Sequence, residues 1–152
     1  MHIVTLHVLA TWLMVGVIWI VQCVHYPLFK AIPSESFKIY HQQHMKKISF
    51  VVVPPMILEL GTGIWLAIPL NPFFNPVFLS ALIPLILIWI VTFLKMVKLH
   101  HRLSQGGDGK DIDSLVVWNT VRTALWTLRG VLFFFFGTYE VTWHLGQKWV
   151  PL

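Results

Sequence analysis

With 152 residues, 57% of them hydrophobic and only 11% charged, the chain carries less than half of the roughly 25% charge content of ordinary soluble domains. That excludes a soluble enzyme and a disordered chain, and the lone cysteine, Cys23, excludes a disulfide-built secreted domain. An integral membrane protein is what remains. At about 20 apolar residues per spanning helix, the length admits four spans and short connections, and the net charge of +5 belongs to cationic loops rather than to nucleic-acid binding.

The predicted architecture is all-α: a single polytopic domain over 1–152, folded as an antiparallel four-helix transmembrane bundle with spans at 3–25, 36–70, 77–98 and 114–145. Span one ends at His25-Tyr26-Pro27. Before span two, Ser34 is expected as N-cap with Glu35 in the first turn, and Pro54-Pro55 is expected to kink the helix. Asn71-Pro72 and Asn75-Pro76 mark a tight turn. Span three contains Pro84. The hydrophilic stretch from Ser104 to Lys110 reads as a flexible linker, and span four starts near Asp113-Ser114.

Eight cations (Lys30, Lys38, Lys46, Lys47, Lys95, Lys98, Arg102 and Lys110) flank the first and third connections. On the other side only Lys148 remains. The positive-inside rule therefore puts connections one and three in the cytoplasm and both termini outside, in a multi-pass protein of the cell (inner) membrane.

Ionisable groups inside spans are costly and turn toward the bundle interior. On a wheel of 100° per residue, span four gathers Asn119, Arg122, Trp126, Arg129, Phe133, Glu140 and His144 on one stripe. Span two gathers His41, His44, Glu59 and Thr62. Span one gathers His7, Thr11, Gln22 and His25. Three polar stripes facing inward describe a bundle built around an internal site. Counting from the cytoplasmic ends at ~1.5 Å per residue, Glu59 lies about 18 Å deep, Arg122 about 11–12 Å and Arg129 about 22 Å. An ion pair between Glu59 and one arginine is therefore expected. The other arginine is left to attract an anion, such as a carboxylate, a phenolate or a haem propionate.

Five of the eight histidines (His25, His41, His44, His100 and His101) lie near the cytoplasmic end. Neutral imidazoles suit Zn, Fe and Cu, so His25, His41, His44 and His101 are the candidate ligands for haem iron or a transition metal. The competing assignment makes them interfacial residues of an amphipathic helix. In the site so drawn, Glu59 and Arg129 are the candidate catalytic groups, and Gln22, Asn119, Arg122, Trp126 and Arg129 bind an anionic or phenolic lipophile.

The segments from Gln22 to Phe29, from Tyr40 to His44 and from Pro55 to Glu59, with Asn119, Arg122, Trp126 and Arg129 in the last helix, resemble a family of small bacterial four-helix integral membrane proteins. More distantly, the size, the four spans and the last helix are similar to anthrone-oxygenase-like families. That likeness implies oxygenation of phenolic polycycles and transfers no individual residue. A comparison with the small haem-binding protoporphyrinogen oxidase of bacteria rests on four spans with His and Arg, and the His7 to Trp12 spacing departs from it.

These features support three functions. The first is a membrane oxidoreductase or oxygenase with its site open to the cytoplasm. The second is a non-enzymatic binding protein for an anionic lipophile, or a small transporter that works as a homo-oligomer. The third is a structural accessory subunit whose charges only pair helices. The bilayer is the one partner common to all three.

Overall fold

The computed structural model describes the backbone of residues 3–70 and 72–147, and side chains as far as Phe136. Glu140 and His144 therefore lie outside the described side chains. The described residues form four helices: α1 (Ile3–Ala31), α2 (Ser34–Leu66), α3 (Pro76–Ser104) and α4 (Gly109–Gln147). No strand occurs among the described residues. Helices α1, α2 and α3 are each long and apolar enough to cross a membrane.

Paired side chains give the helix directions. His7 meets Thr62 and Thr11 meets Glu59, so α1 and α2 run antiparallel. Trp19 meets Thr127 and Gln22 meets Thr120, so α1 and α4 do too. Around the bundle, α1 and α3 each pack between α2 and α4. Two diagonals result, α1 across from α3 and α2 across from α4. Large apolar side chains such as Phe50, Ile83 and Phe93 cover the outside, as lipid contact requires.

The interior is layered. One end packs Tyr26, Phe29, Phe37, Met96, Leu103 and Leu115. The middle packs Met14, Ile18, Met56, Ile88 and Trp126. The far end packs Leu66, Phe78, Ala81 and Phe133. Lipid tails are as apolar as these residues, so burial alone does not hold helices together in a bilayer; close packing and interhelical polar contacts do. Those contacts sit between the layers.

Several boundaries differ from the sequence reading, each for a local reason. Helix α1 continues past His25 to Ala31 because a π-turn, Val21–His25, lets the Tyr26 N–H reach back to the Val21 carbonyl. Pro27 comes directly after and lacks the donor for a regular turn. A second π-turn, Thr92–Met96, closes with Val97 N–H on the Thr92 carbonyl and carries α3 on to Ser104. Helix α2 starts at Ser34, one residue earlier than expected, so Pro33 is the N-cap, with no side-chain cap bond, and Ser34 is the first helical residue. Glu35 does stand in the first turn. Pro54 and Pro55 lie inside an uninterrupted helix that ends at Leu66. Asn75 caps α3 by accepting from Val77 N–H at 3.0 Å.

The expected flexible linker is a tight, capped turn. Gly106 takes the left-handed conformation (φ 102°) that a side chain disfavours. Gly107 N–H bonds back to the Arg102 carbonyl. Asp108 accepts from the N–H groups of Lys110 and Asp111 and so caps α4. Arg102 and Asp111 then pair across the turn at 2.6 Å.

Candidate functional site

Two buried polar clusters occupy the bundle, each around one arginine of α4. The first spans the α2–α4 diagonal. Arg129, fully buried, donates to Glu59 Oε1 at 2.5 Å. Of the two arginines, Arg129 thus takes the ion pair expected for Glu59. The carboxylate also accepts from the Thr11 hydroxyl at 2.6 Å and from Trp126 Nε1 at 3.0 Å.

Arg129 Nη2 reaches His7 Nε2 at 3.2 Å, and His7 Nδ1 reaches Thr62 Oγ1 at 2.7 Å. A guanidinium only donates, so His7 Nε2 must accept. His7 Nδ1–H then donates to Thr62, whose hydroxyl donates to the Leu58 carbonyl. The hydrogen-bond directions thereby define His7 as the neutral Nδ1–H tautomer. Phe78 and Phe133 flank its ring, and Gly63 lies against its edge. One positive and one negative charge meet here, and donors fill the carboxylate, which is how a buried pair becomes tolerable.

The second cluster lies one layer away, and Trp126 is the partition between the two. Its N–H faces Glu59, while its ring lies under Arg122 at 5.1 Å. Arg122 is 6% exposed. It donates to Asn119 Oδ1 at 3.2 Å, and Asn119 Nδ2 donates to Gln22 at 2.8 Å. The Tyr26 phenol lies beside the guanidinium. Arg122 Nε has no hydrogen-bond partner, and no carboxylate pairs with Arg122 among the described residues. Arg129 Nε is also unpartnered, but the Arg129 charge is neutralised where the Arg122 charge is not.

Arg122 forms part of the floor of a cavity of about 640 Å³ between α2 and α3. The floor also holds Tyr26 and His100. The walls are mostly apolar, with Met45, Met56, Met96 and Trp89 among them. The open side runs between Val53 and Ile57 of α2 and Phe93 and Val97 of α3, all exposed on the outer face. The far end reaches His101 and Ser104.

Against the sequence reading, the site is smaller and differently composed. Arg122 and His101 line the cavity, whereas Gln22, Asn119, Trp126, Glu59 and Arg129 do not. Gln22 and Asn119 instead join α1 to α4 behind Arg122. His25, His41, His44 and His101 are not gathered into a ligand shell. His25 and His44 are neighbours, with ring centroids 5.6 Å apart, and His101 is exposed on the cavity rim. His41 spends both ring nitrogens, on Ser104 Oγ at 2.9 Å and on His100 Nδ1 at 3.1 Å. Among the described residues, no group of three or more metal-ligating side chains is placed to hold an ion. With its central imidazole engaged on both sides, this set does not fit haem iron or a transition metal.

Tyr26 and His100 went unrecognised in the sequence. Each π-turn adds one residue and rotates the downstream part of the helix by about 100°. In α1 that rotation carries Tyr26 into the core and leaves His25 half-buried. For α3 a signal was available. On a wheel centred on Leu85, His100 lies about 60° off the core direction and His101 about 160°. No family model matches the chain, and neither a curated protein nor a solved structure matches it.

Proposed function

We propose that this chain is a four-span membrane protein that binds a lipophile with an anionic or phenolic headgroup in the cavity between α2 and α3. The apolar part lies along the methionine-lined walls and the headgroup docks on Arg122. One observation carries this reading: a buried guanidinium with an unpartnered Nε, and with no carboxylate partner among the described residues, forms part of the floor of a cavity whose walls are mostly apolar. A desolvated cation in that setting favours an anion that can accept a charge-assisted bond. The exposed apolar rim between the two helices lets the ligand arrive from the bilayer rather than from water.

The loop cations orient the protein with the α1–α2 and α3–α4 connections in the cytoplasm and both termini outside. The cavity then lies in the cytoplasmic half. Binding is favoured over turnover because His100, which lines the cavity, and His41 behind it are engaged with each other, with Tyr26 and with Ser104.

The test is tryptophan quenching in nanodiscs by dibromostearic acid, with the corresponding dibrominated alcohol as the neutral control. The acid should quench saturably and at least tenfold more tightly than the alcohol, and Arg122→Gln should erase that preference. Equal affinity for acid and alcohol, or a preference unchanged in Arg122→Gln, sinks the reading.

A further inference from the structure

Beside the cavity runs an unbroken chain of hydrogen bonds built from three helices. The Tyr26 hydroxyl of α1 meets His100 Nε2 of α3 at 3.0 Å. His100 Nδ1 meets His41 Nε2 of α2 at 3.1 Å. His41 Nδ1 meets Ser104 Oγ, back on α3, at 2.9 Å. Tyr26, His41 and His100 are buried, and Ser104 is half-buried at the end of α3, next to the exposed turn. The inner end of the chain is the phenol beside Arg122. The π-turn of α1 ends directly before Tyr26, and that of α3 ends four residues before His100. Such turns are frequent at functional sites.

Each member can both donate and accept through a hydroxyl or through the two nitrogens of a neutral imidazole. The chain is therefore satisfied with all its protons pointing outward or all pointing inward. We propose that Tyr26, His100, His41 and Ser104 are a proton relay that carries one proton between a headgroup bound on Arg122 and the aqueous face at the α3–α4 connection. This assignment rests on the proposed binding of a lipophilic acid.

The transfer balances. An acid arrives from the bilayer neutral, because its anion is costly in hydrocarbon. Its O–H bond breaks toward Tyr26 Oη while the Tyr26 proton passes to His100 Nε2. The His100 Nδ1 proton passes to His41 Nε2, and the His41 Nδ1 proton passes to Ser104 Oγ. The Ser104 hydroxyl proton leaves to water. The headgroup stays as an anion on Arg122, and every relay member ends neutral with its hydrogen bond reversed. Release of the ligand as the neutral acid runs the same steps backward and resets the chain. A hydrocarbon tail in the cavity displaces water from it, which leaves the side-chain route.

Charged and titratable groups face the relay from all four helices. His25 of α1 lies near it through His44, and His44 of α2 stands 6.4 Å from His41 and 6.5 Å from Tyr26 between ring centroids. His101 of α3 stands at the rim and Arg122 of α4 beside Tyr26. None of the relay hydrogen bonds involves a carboxylate.

The experiment is stopped-flow mixing of the protein, in weakly buffered nanodiscs at pH 6, with dibromostearic acid. Tryptophan quenching tracks binding and pyranine tracks the released proton. In the native protein the proton should appear together with the quench. Glutamine retains a donor and an acceptor but cannot take a proton at one atom and release another. In His100→Gln and His41→Gln proton appearance should therefore lag the quench at least tenfold, and His41→Gln, outside the cavity lining, should bind within threefold of the native protein. Ser104→Ala should slow it only about threefold, since water can stand in at that end. Proton release that keeps pace with quenching in both glutamine variants overturns the relay.

Failure of the native protein to quench defeats the binding reading instead. The relay is then judged without ligand, by 15N NMR of histidine-labelled protein. It requires one proton on each of the His41 and His100 rings and a scalar coupling across the nitrogen–nitrogen bond. Absence of that coupling overturns it.

Discussion

The two arginines of α4 are seven positions apart in one helix, both buried, and they have opposite surroundings. Arg129 meets a carboxylate that three side chains bond, and its remaining reach is taken by a neutral imidazole. Arg122 meets an amide, an indole face and a phenol, all uncharged, at the floor of a cavity. A neutralised charge joins α2 to α4 across the bundle and contributes to the fold. An uncompensated charge beside empty space is costly to the fold and useful only when something fills it. Burial alone does not separate the two cases; the bonding partners do.

The largest way to break that contrast is to remove the compensation at Arg129. Glu59→Leu leaves a desolvated guanidinium, and thermal unfolding in detergent should show a loss of about 3–5 kcal/mol. The double variant Glu59→Leu/Arg129→Leu should recover most of that loss, because an apolar pair of similar volume replaces the ion pair. A double variant as unstable as Glu59→Leu would mean that Arg129 has another role.

Arg122→Gln should do the reverse. Ligand affinity by quenching titration should fall about 10- to 100-fold, the worth of a charge-assisted bond, while the melting temperature holds or rises. A large loss of stability here would make Arg122 as structural as Arg129.

Smaller effects sharpen each side. A Cβ at Gly63 would lie 3.1 Å from His7 Cε1 and from Leu85 Cδ2. Gly63→Ala should therefore cost about 1–3 kcal/mol by overpacking, read from the same melts, with ligand binding intact. Least affected should be His101→Ala at the exposed rim, with affinity within threefold of native. A greater loss would extend the headgroup site to the cavity mouth.

Much of the closed cluster was legible in the sequence. His7, Thr11, Glu59, Thr62, Trp126 and Arg129 emerge from helical periodicity on single helices, and depth at 1.5 Å per residue puts Glu59 and Arg129 close to level. Of the open cluster, Gln22, Asn119 and Arg122 were legible, as was His41 in the adjoining chain, whereas Tyr26 and His100 were not. Tyr26 hides behind a π-turn that shifts the register of α1, and His100 stands beside His101 in a chain where adjacent residues point about 100° apart. The metal-ligand set failed to assemble because it was chosen by residue type and by nearness to one end of the bundle. Whether imidazoles converge depends on which helices are neighbours and which nitrogens are already bonded.

The amino-acid sequence by itself determined an all-helical chain suited to lipid and an inward stripe of polar residues on three helices, because composition and the 3.6-residue period act locally. It also determined which loops carry the cations. Only the tertiary structure decided that Glu59 reaches Arg129 and leaves Arg122 unpaired. It likewise decided that α2 and α3 part around a cavity and that Tyr26, His100, His41 and Ser104 form one chain. Each of these joins residues about 60 to 75 positions apart or across a diagonal. Contact at that range is set by helix packing and by one-residue shifts at π-turns, which no single helix encodes alone.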